Sequence, residues 1–257
     1  MSKPPKRQRP QDLLKLTAKP IHPFDQAHNV DTSGLIPAGN LITGHPNDAF
    51  VTAYYGIAPS ILRTLIDHWR ETIPPHPIHS YSFLDIGAGK GRAMLIASEL
   101  RFRQIIGIEL NPEIADIAQS NLEIWQRDHA ADATAPPIAP IFLHQQDALS
   151  FDLPRTPTLA FLYHPFEAPV FKHLLRRIEA QFAKRPGTFD LLYVNAECRE
   201  ILDKHPAFLR LFSGHVAMSP EDHAADLDAI AQQKEYGSTG DEECAIYRYI
   251  GRAPRSL

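Results

Sequence analysis

Cysteine is scarce in this 257-residue chain, long apolar runs are missing, and neither sign of charge dominates. Two cysteines, Cys198 and Cys244, are too few for a disulfide framework or a cysteine zinc site, and both read as small buried apolar residues. That scarcity points to a reducing, cytoplasmic setting. No apolar stretch approaches the ~20 residues that cross a bilayer, and the first residues lack the apolar centre of a secretion signal. Lys and Arg number 26 against 30 Asp and Glu, a net charge of −4. Nothing global attracts a polyanion, so nucleic acid is disfavoured as a partner and no membrane surface is expected. The 13 histidines are scattered, and His76 and His79, split by Pro77 in a proline-rich loop, are not expected to hold a metal.

What is present has a clear order. Residues 1–10 hold Lys3, Lys6, Arg7 and Arg9 among prolines and read as a disordered basic tail. Residues 11–58 are irregular and read as an N-terminal arm or lid. Leu13, Leu14 and Leu16 suggest a short helix there, and Val30–Gly34 is rich in side chains that bond their own backbone. In this arm Asp31, Thr32, Ser33, Tyr54 and Tyr55 read as closing over a site to exclude water, or alternatively as a loop packed on the sheet with the tyrosines in the core. Tyr54 and Tyr55 are adjacent, so in extended backbone they point opposite ways.

Residues 59–257 read as one α/β domain. Ile61, Leu62, Leu65, Ile66 and Trp69 share a helical face. Strands are expected at 81–86, 104–110, 141–146, 158–163 and 189–195, and two more at 208–212 and 244–250. Helices fall between them at 94–100, 112–126, 168–183 and 197–204. A polar insertion with a helical centre, 221–233, precedes the last strand. Strands alternating with helices at this spacing predict a Rossmann-like, doubly wound, mostly parallel seven-stranded sheet.

The most informative stretch is Phe83-Leu84-Asp85-Ile86-Gly87-Ala88-Gly89-Lys90-Gly91-Arg92. An apolar strand ends at a carboxylate, and three alternate glycines then turn the chain into a helix. Ligands of such sheets bind outside the carboxyl ends of the strands, where glycine lets a ligand approach the backbone. The spacing is one residue shorter than the dinucleotide fingerprint, which also needs a glycine where Arg92 stands. Glu109 ends the second strand, where a carboxylate meets ribose hydroxyls. Asp147 follows the third.

Leu84–Gly91, Ile108-Glu109-Leu110 and Gln146-Asp147-Ala148 resemble the class I S-adenosylmethionine-dependent methyltransferases. More narrowly, Phe24-Asp25, Val30–Gly34 and Gly89–Arg92 resemble a poorly characterised bacterial group within them that carries a Val-Asp-Thr-Ser-Gly block. The resemblance implies S-adenosylmethionine as cofactor. It assigns the cofactor's amino acid moiety to Asp85, Gly87, Ala88 and Gly89, its ribose to Glu109 and Leu110, and its adenine to Asp147 and Ala148. Asp147 reads alternatively as a turn cap, and Glu109 as a solvated strand end. After strand four that bacterial group carries Tyr-Asn-Pro-Phe, whereas this chain has Tyr163-His164-Pro165-Phe166, which also departs from the Asn-Pro-Pro-Tyr motif of planar-nitrogen methylation. His164 is the expected base and Tyr163 an aromatic wall toward the sulfonium. Alternatively, His164 bonds a nearby carbonyl. Pro165, Phe166 and Asn195 are expected to meet an unidentified acceptor, Asn195 otherwise capping the next helix. An NAD-dependent oxidoreductase and a non-catalytic binding module are the competing readings. An aminopropyl transferase is disfavoured because no acidic diamine-binding block is evident.

Overall fold

The first, second, fourth and fifth strands end at a glycine, asparagine or proline within two residues, and a helix then carries the chain to the next strand. In a computed structural model, which describes residues 21–231 and 237–252, seven strands form one sheet in the order β3-β2-β1-β4-β5-β7-β6. They are β1 (Ser82–Ile86), β2 (Gln104–Glu109), β3 (Ile141–Gln145), β4 (Thr158–Tyr163), β5 (Phe189–Val194), β6 (Phe208–Ala217) and β7 (Asp241–Tyr249). β1 to β5 pair in parallel, and β7 runs antiparallel to both β5 and β6. The fold is therefore Rossmann-like, as the alternation predicts. The strand order reverses between β1 and β4, and ligands are expected at that switch point.

The helices are α1 (Pro23–His28), α2 (Pro59–Glu71), α3 (Arg92–Ser98), α4 (Pro112–Ala131), α5 (Ala168–Phe182), α6 (Arg199–Asp203) and α7 (Pro220–Ile230). Asn111 starts α4 as its sequence suggests: the side chain accepts from Glu113 N and Ile114 N, and Pro112 takes the first helical position. One face of the sheet packs on α2, α3 and α4 through Ile61, Leu65, Trp69, Met94, Leu122 and Trp125. The other packs on α5 through Phe171, Leu174, Ile178 and Phe182. β6 runs five residues beyond its expected end, past a register shift between Arg210 and Phe212 that breaks its side-chain alternation. The tail at 1–10 and the leucines at 13–16 lie outside the described residues, as does part of the polar insertion. No described helix is long and apolar enough to cross a membrane.

The arm crosses the carboxyl ends of the strands in two parts. Residues 22–34 are tied down by buried charge. Residues 36–54 form a looser strap that bridges Ile36 to Tyr54 and Val51 to Phe166.

Candidate functional site

The carboxyl ends of β1, β2 and β3 open beneath the arm onto a cavity of about 120 Å³. The glycine turn forms its floor. Gly87 N and Ala88 N both donate to Ile108 O at 2.9 Å, which fastens the turn to the end of β2. Gly87 and Gly89 have φ of 77° and 55°, in the left-handed region. A side chain at either would also collide. Its Cβ would lie 2.4 Å from Pro165 Cβ at Gly87, and 2.3 Å from Tyr54 Cε2 at Gly89.

The eight residues to which the resemblance assigns the cofactor, Asp85, Gly87, Ala88, Gly89, Glu109, Leu110, Asp147 and Ala148, all line this cavity. Asp85 is 2% exposed, and its Oδ2 is buried without a hydrogen-bond partner. Burial, and then the charge of Glu109, pushes its carboxyl up to about 8. Glu109 is itself raised by burial, although Gly89 N donates to its Oε2 and Asn111 N to its Oε1, each at 2.8 Å. Asp147 does cap its turn, accepting from Leu149 N at 2.9 Å through Oδ1. Its Oδ2 is turned toward the arm, where Asn47 Nδ2 stands at 3.4 Å and His45 Nε2 at 3.7 Å.

The block after β4 divides. Tyr163, Pro165 and Phe166 line this first cavity, so Pro165 and Phe166 lie on the side expected for the cofactor. His164 does not. It borders a second cavity of about 570 Å³, with Asn195 beside it, and that cavity shares Thr52, Ala53, Tyr55 and Tyr163 with the first. His164 and Asn195 end adjacent parallel strands, and both have positive φ, 37° and 46°, which turns their side chains off the strand direction. Asn195 does not cap α6; its Nδ2 donates to Glu197 Oε1 at 3.1 Å. Cys198, expected in the core, is half-buried and lines the second cavity, because the chain leaves β5 through a turn before α6 begins.

His164 is 7% exposed, and its Nδ1 lies 2.8 Å from Tyr193 Oη. That hydroxyl also accepts from Cys198 N at 3.2 Å, and toward Nδ1 it can either donate its hydrogen or accept a ring N–H. The His164 Nε2 stands 3.5 Å from Glu197 Oε2, and the neutral ring can carry its hydrogen on either nitrogen. Burial lowers the imidazole's pKa, against the pull of Glu197 and Glu167, and favours this neutral state. With its hydrogen on Nδ1 the ring donates to Tyr193 Oη and can accept a proton at Nε2; with the hydrogen on Nε2 it donates there instead.

Behind the glycine turn lies a cluster the sequence did not single out as a unit. Lys90 is fully buried and donates to Asp31 Oδ1 at 2.8 Å and Ser33 O at 2.7 Å. Arg92 donates from Nε to Thr32 Oγ1 at 2.6 Å, reaches Ser33 Oγ and the carbonyls of Gly56 and Ile57, and pairs with Asp25 at 3.6 Å. Asp25 accepts from Thr32 N at 2.7 Å and from both the Thr32 and Ser33 hydroxyls. Asn121 of α4 accepts from Asp31 N and donates to Asp31 O and Lys90 O. Lys90 and Arg92 interleave with the glycines, and their charged ends reach into the arm.

No family model and no curated protein matches the chain. Among solved structures, a tRNA (m1A22) methyltransferase of B. subtilis is 13% identical, with 76% of this chain and 68% of that one covered at a TM-score of 0.47. A ribosomal protein L11 methylase of Lactobacillus delbrueckii subsp. bulgaricus is 12% identical, with 74% and 78% covered at 0.44. A magnesium protoporphyrin IX methyltransferase of Synechocystis PCC 6803, solved with bound S-adenosylmethionine, is 12% identical, with 75% and 79% covered at 0.42. Likenesses of this order fix neither a reaction nor an acceptor.

Proposed function

We propose that the protein is an S-adenosylmethionine-dependent methyltransferase whose acceptor lodges in the second cavity. The observation that carries this is Asp85: a buried carboxyl with an unpartnered oxygen, set in a glycine-floored cavity at the switch point. A cationic amine is the group that would restore it to a carboxylate. In this reading Asp85 takes the ammonium of the cofactor's amino acid end. The remaining lone pairs of Glu109 take ribose hydroxyls, and Asp147 Oδ2 takes the adenine amino group. Ala88, Leu110 and Ala148 supply apolar wall. When bound, S-adenosylmethionine supplies a methyl carbon on a positively charged sulfur, and the protein's task is to align an acceptor with it. Tyr163 borders both cavities and is assigned to the boundary the methyl crosses. His164 serves as base in the tautomer whose Nδ1–H donates to Tyr193 Oη and leaves Nε2 free to accept.

At about 120 Å³ the first cavity is small beside the ~300–1,000 Å³ usual for organic ligands. We therefore assign the strap at 36–54 as a lid that lifts for loading while residues 22–34 stay fixed. The test is equilibrium binding of S-adenosylhomocysteine and of NAD, with hydrogen exchange of the strap read alongside. The expected result is micromolar-range binding of S-adenosylhomocysteine alone, with slower exchange at 36–54 in the complex. NAD binding without S-adenosylhomocysteine binding would sink the assignment.

A further inference from the structure

The second cavity has a chemistry of its own. Four carboxylates line it, Glu167, Glu197, Asp226 and Glu242, and among the described residues no lysine or arginine does. They come from separate segments: the start of α5, the turn after β5, α7 and β7. The diamine-type acidic block that no local stretch of sequence displays is thus assembled by the fold. Two carboxylates are held by phenols at the wall shared with the first cavity. Tyr163 Oη donates to Glu242 Oε1 at 2.5 Å, and Tyr55 Oη donates to Asp226 Oδ1. Burial raises the Glu242 carboxyl, so the site gains from a cation that would hold it ionised. Both tyrosines line the cavity. His164, more than nine-tenths buried, brings its Nε2 to this space, 3.5 Å from Glu197 Oε2. The cavity's volume of about 570 Å³ falls within the range of organic-ligand sites.

We propose that this cavity binds the acceptor and that the acceptor carries a positively charged amine. The proposal rests on the methyltransferase reading for the word acceptor, but the recognition of an amine stands on the second cavity alone. Glu167 and Glu197 stand exposed at the rim while Asp226 is buried and Glu242 half-buried, so a cation entering among the four is attracted most strongly by the inner pair. A neutral or anionic acceptor would gain no such attraction. An amine offered by a free small molecule and one offered by a lysine side chain share this chemistry, and the probes below separate them.

The test is calorimetric titration of the full-length protein, with and without S-adenosylhomocysteine, using three probes. Cadaverine stands for a free amine, Nα-acetyl-lysine methylamide for a lysine residue, and pentanediol for the neutral isostere of the first. The expected result is binding of at least one amine about tenfold or more tighter than pentanediol, a gap of ~1.4 kcal/mol. Glu197→Gln changes an exposed side chain and leaves the fold intact. That variant and Glu242→Gln are each expected to weaken the amine about fivefold or more without changing S-adenosylhomocysteine affinity. The better amine identifies the source. Equal binding of amine and diol, or amine binding indifferent to both variants, would overturn the proposal. If S-adenosylhomocysteine binds and no amine does, this inference alone fails. If amines bind and S-adenosylhomocysteine does not, the methyltransferase reading fails and amine recognition survives.

Discussion

Two clusters of buried charge flank the same glycine turn. On the arm side, Lys90, Arg92, Asp25 and Asp31 meet cation to anion, with Thr32, Ser33 and Asn121 filling the remaining hydrogen bonds. On the cavity side, Asp85 and Glu109 meet anion to anion, and Asp85 Oδ2 has no partner at all. Asp85, Lys90 and Arg92 lie within a few residues of one another in sequence, and all three are buried, as is Asp25. The difference separates two uses of buried charge. A paired and fully bonded cluster holds backbone in place, whereas an unpaired one waits for a ligand. The arm side thus reads as a lock that seats the turn, and the cavity side as the surface the turn presents.

The widest separation between the two clusters is expected from Arg92→Leu. Removing one member of a buried pair strands the other, at a typical cost of about 3–5 kcal/mol. Asp25 would keep Thr32 and Ser33 but lose the positive charge that its burial requires. For a chain of this size, that loss lowers the melting temperature on the order of 10 °C. The measurement is thermal unfolding by circular dichroism. A drop of under ~2 °C would mean the lock contributes little, and the contrast between the clusters would collapse.

Asp85→Asn is expected to act in the opposite direction on stability. The carboxyl's ordinary value is 3.8, and the fold raises it to about 8. Below roughly pH 4 it is protonated in folded and unfolded chains alike and costs nothing. As pH climbs toward about 8, the unfolded chain releases the proton and the folded chain keeps it, so stability is lost across that window. Asparagine carries no such penalty. The variant should gain about 1–3 kcal/mol at neutral pH, and the gain should vanish in acid. Its affinity for S-adenosylhomocysteine should fall about tenfold or more. The wild-type protein should also bind that ligand more weakly as pH drops below about 8, because Asp85 must first give up its proton. Urea titrations at several pH values, paired with binding at each, decide it. A variant that is both less stable and still able to bind would show Asp85 to be structural.

How much of this contrast was legible in the sequence follows from distance along the chain. Asp85, the glycines and Glu109 sit in two short segments whose strand–turn–helix pattern is local, so the floor of the first cavity could be read residue by residue. The sheet could be read for the same reason, since each strand and helix carries its own periodicity. The lock could not. Lys90 and Arg92 entered only as members of the Gly89–Arg92 block, and their partners lie in an arm whose turn-rich sequence shows no period. β6 was read short because its register shift interrupts alternation. The acidic cavity was hidden most completely. Asp226 and Glu242 sit in and beside a polar insertion that looks solvated, and only the tertiary fold brings them to Tyr55 and Tyr163.

The smallest expected effect tests whether the two clusters are coupled, and it falls on Tyr54. This residue touches both. Its hydroxyl donates to Thr32 O at 2.7 Å on the lock side, while its ring covers Gly89 on the cavity side. Burial pushes its phenol's pKa well up, so it is a permanent donor across the usable pH range. Tyr54→Phe keeps the ring and deletes the hydroxyl. The carbonyl of fully buried Thr32 then loses this donor, a cost of about 1–2 kcal/mol. If the clusters are independent, that stability loss appears while affinity for S-adenosylhomocysteine stays within about twofold. If the strap carries the lock's position to the cavity, affinity falls in step with stability. In that case the lid assigned to residues 36–54 and the lock at 22–34 are one device: lifting the strap would have to break the Tyr54–Thr32 bond before a ligand reached Gly89.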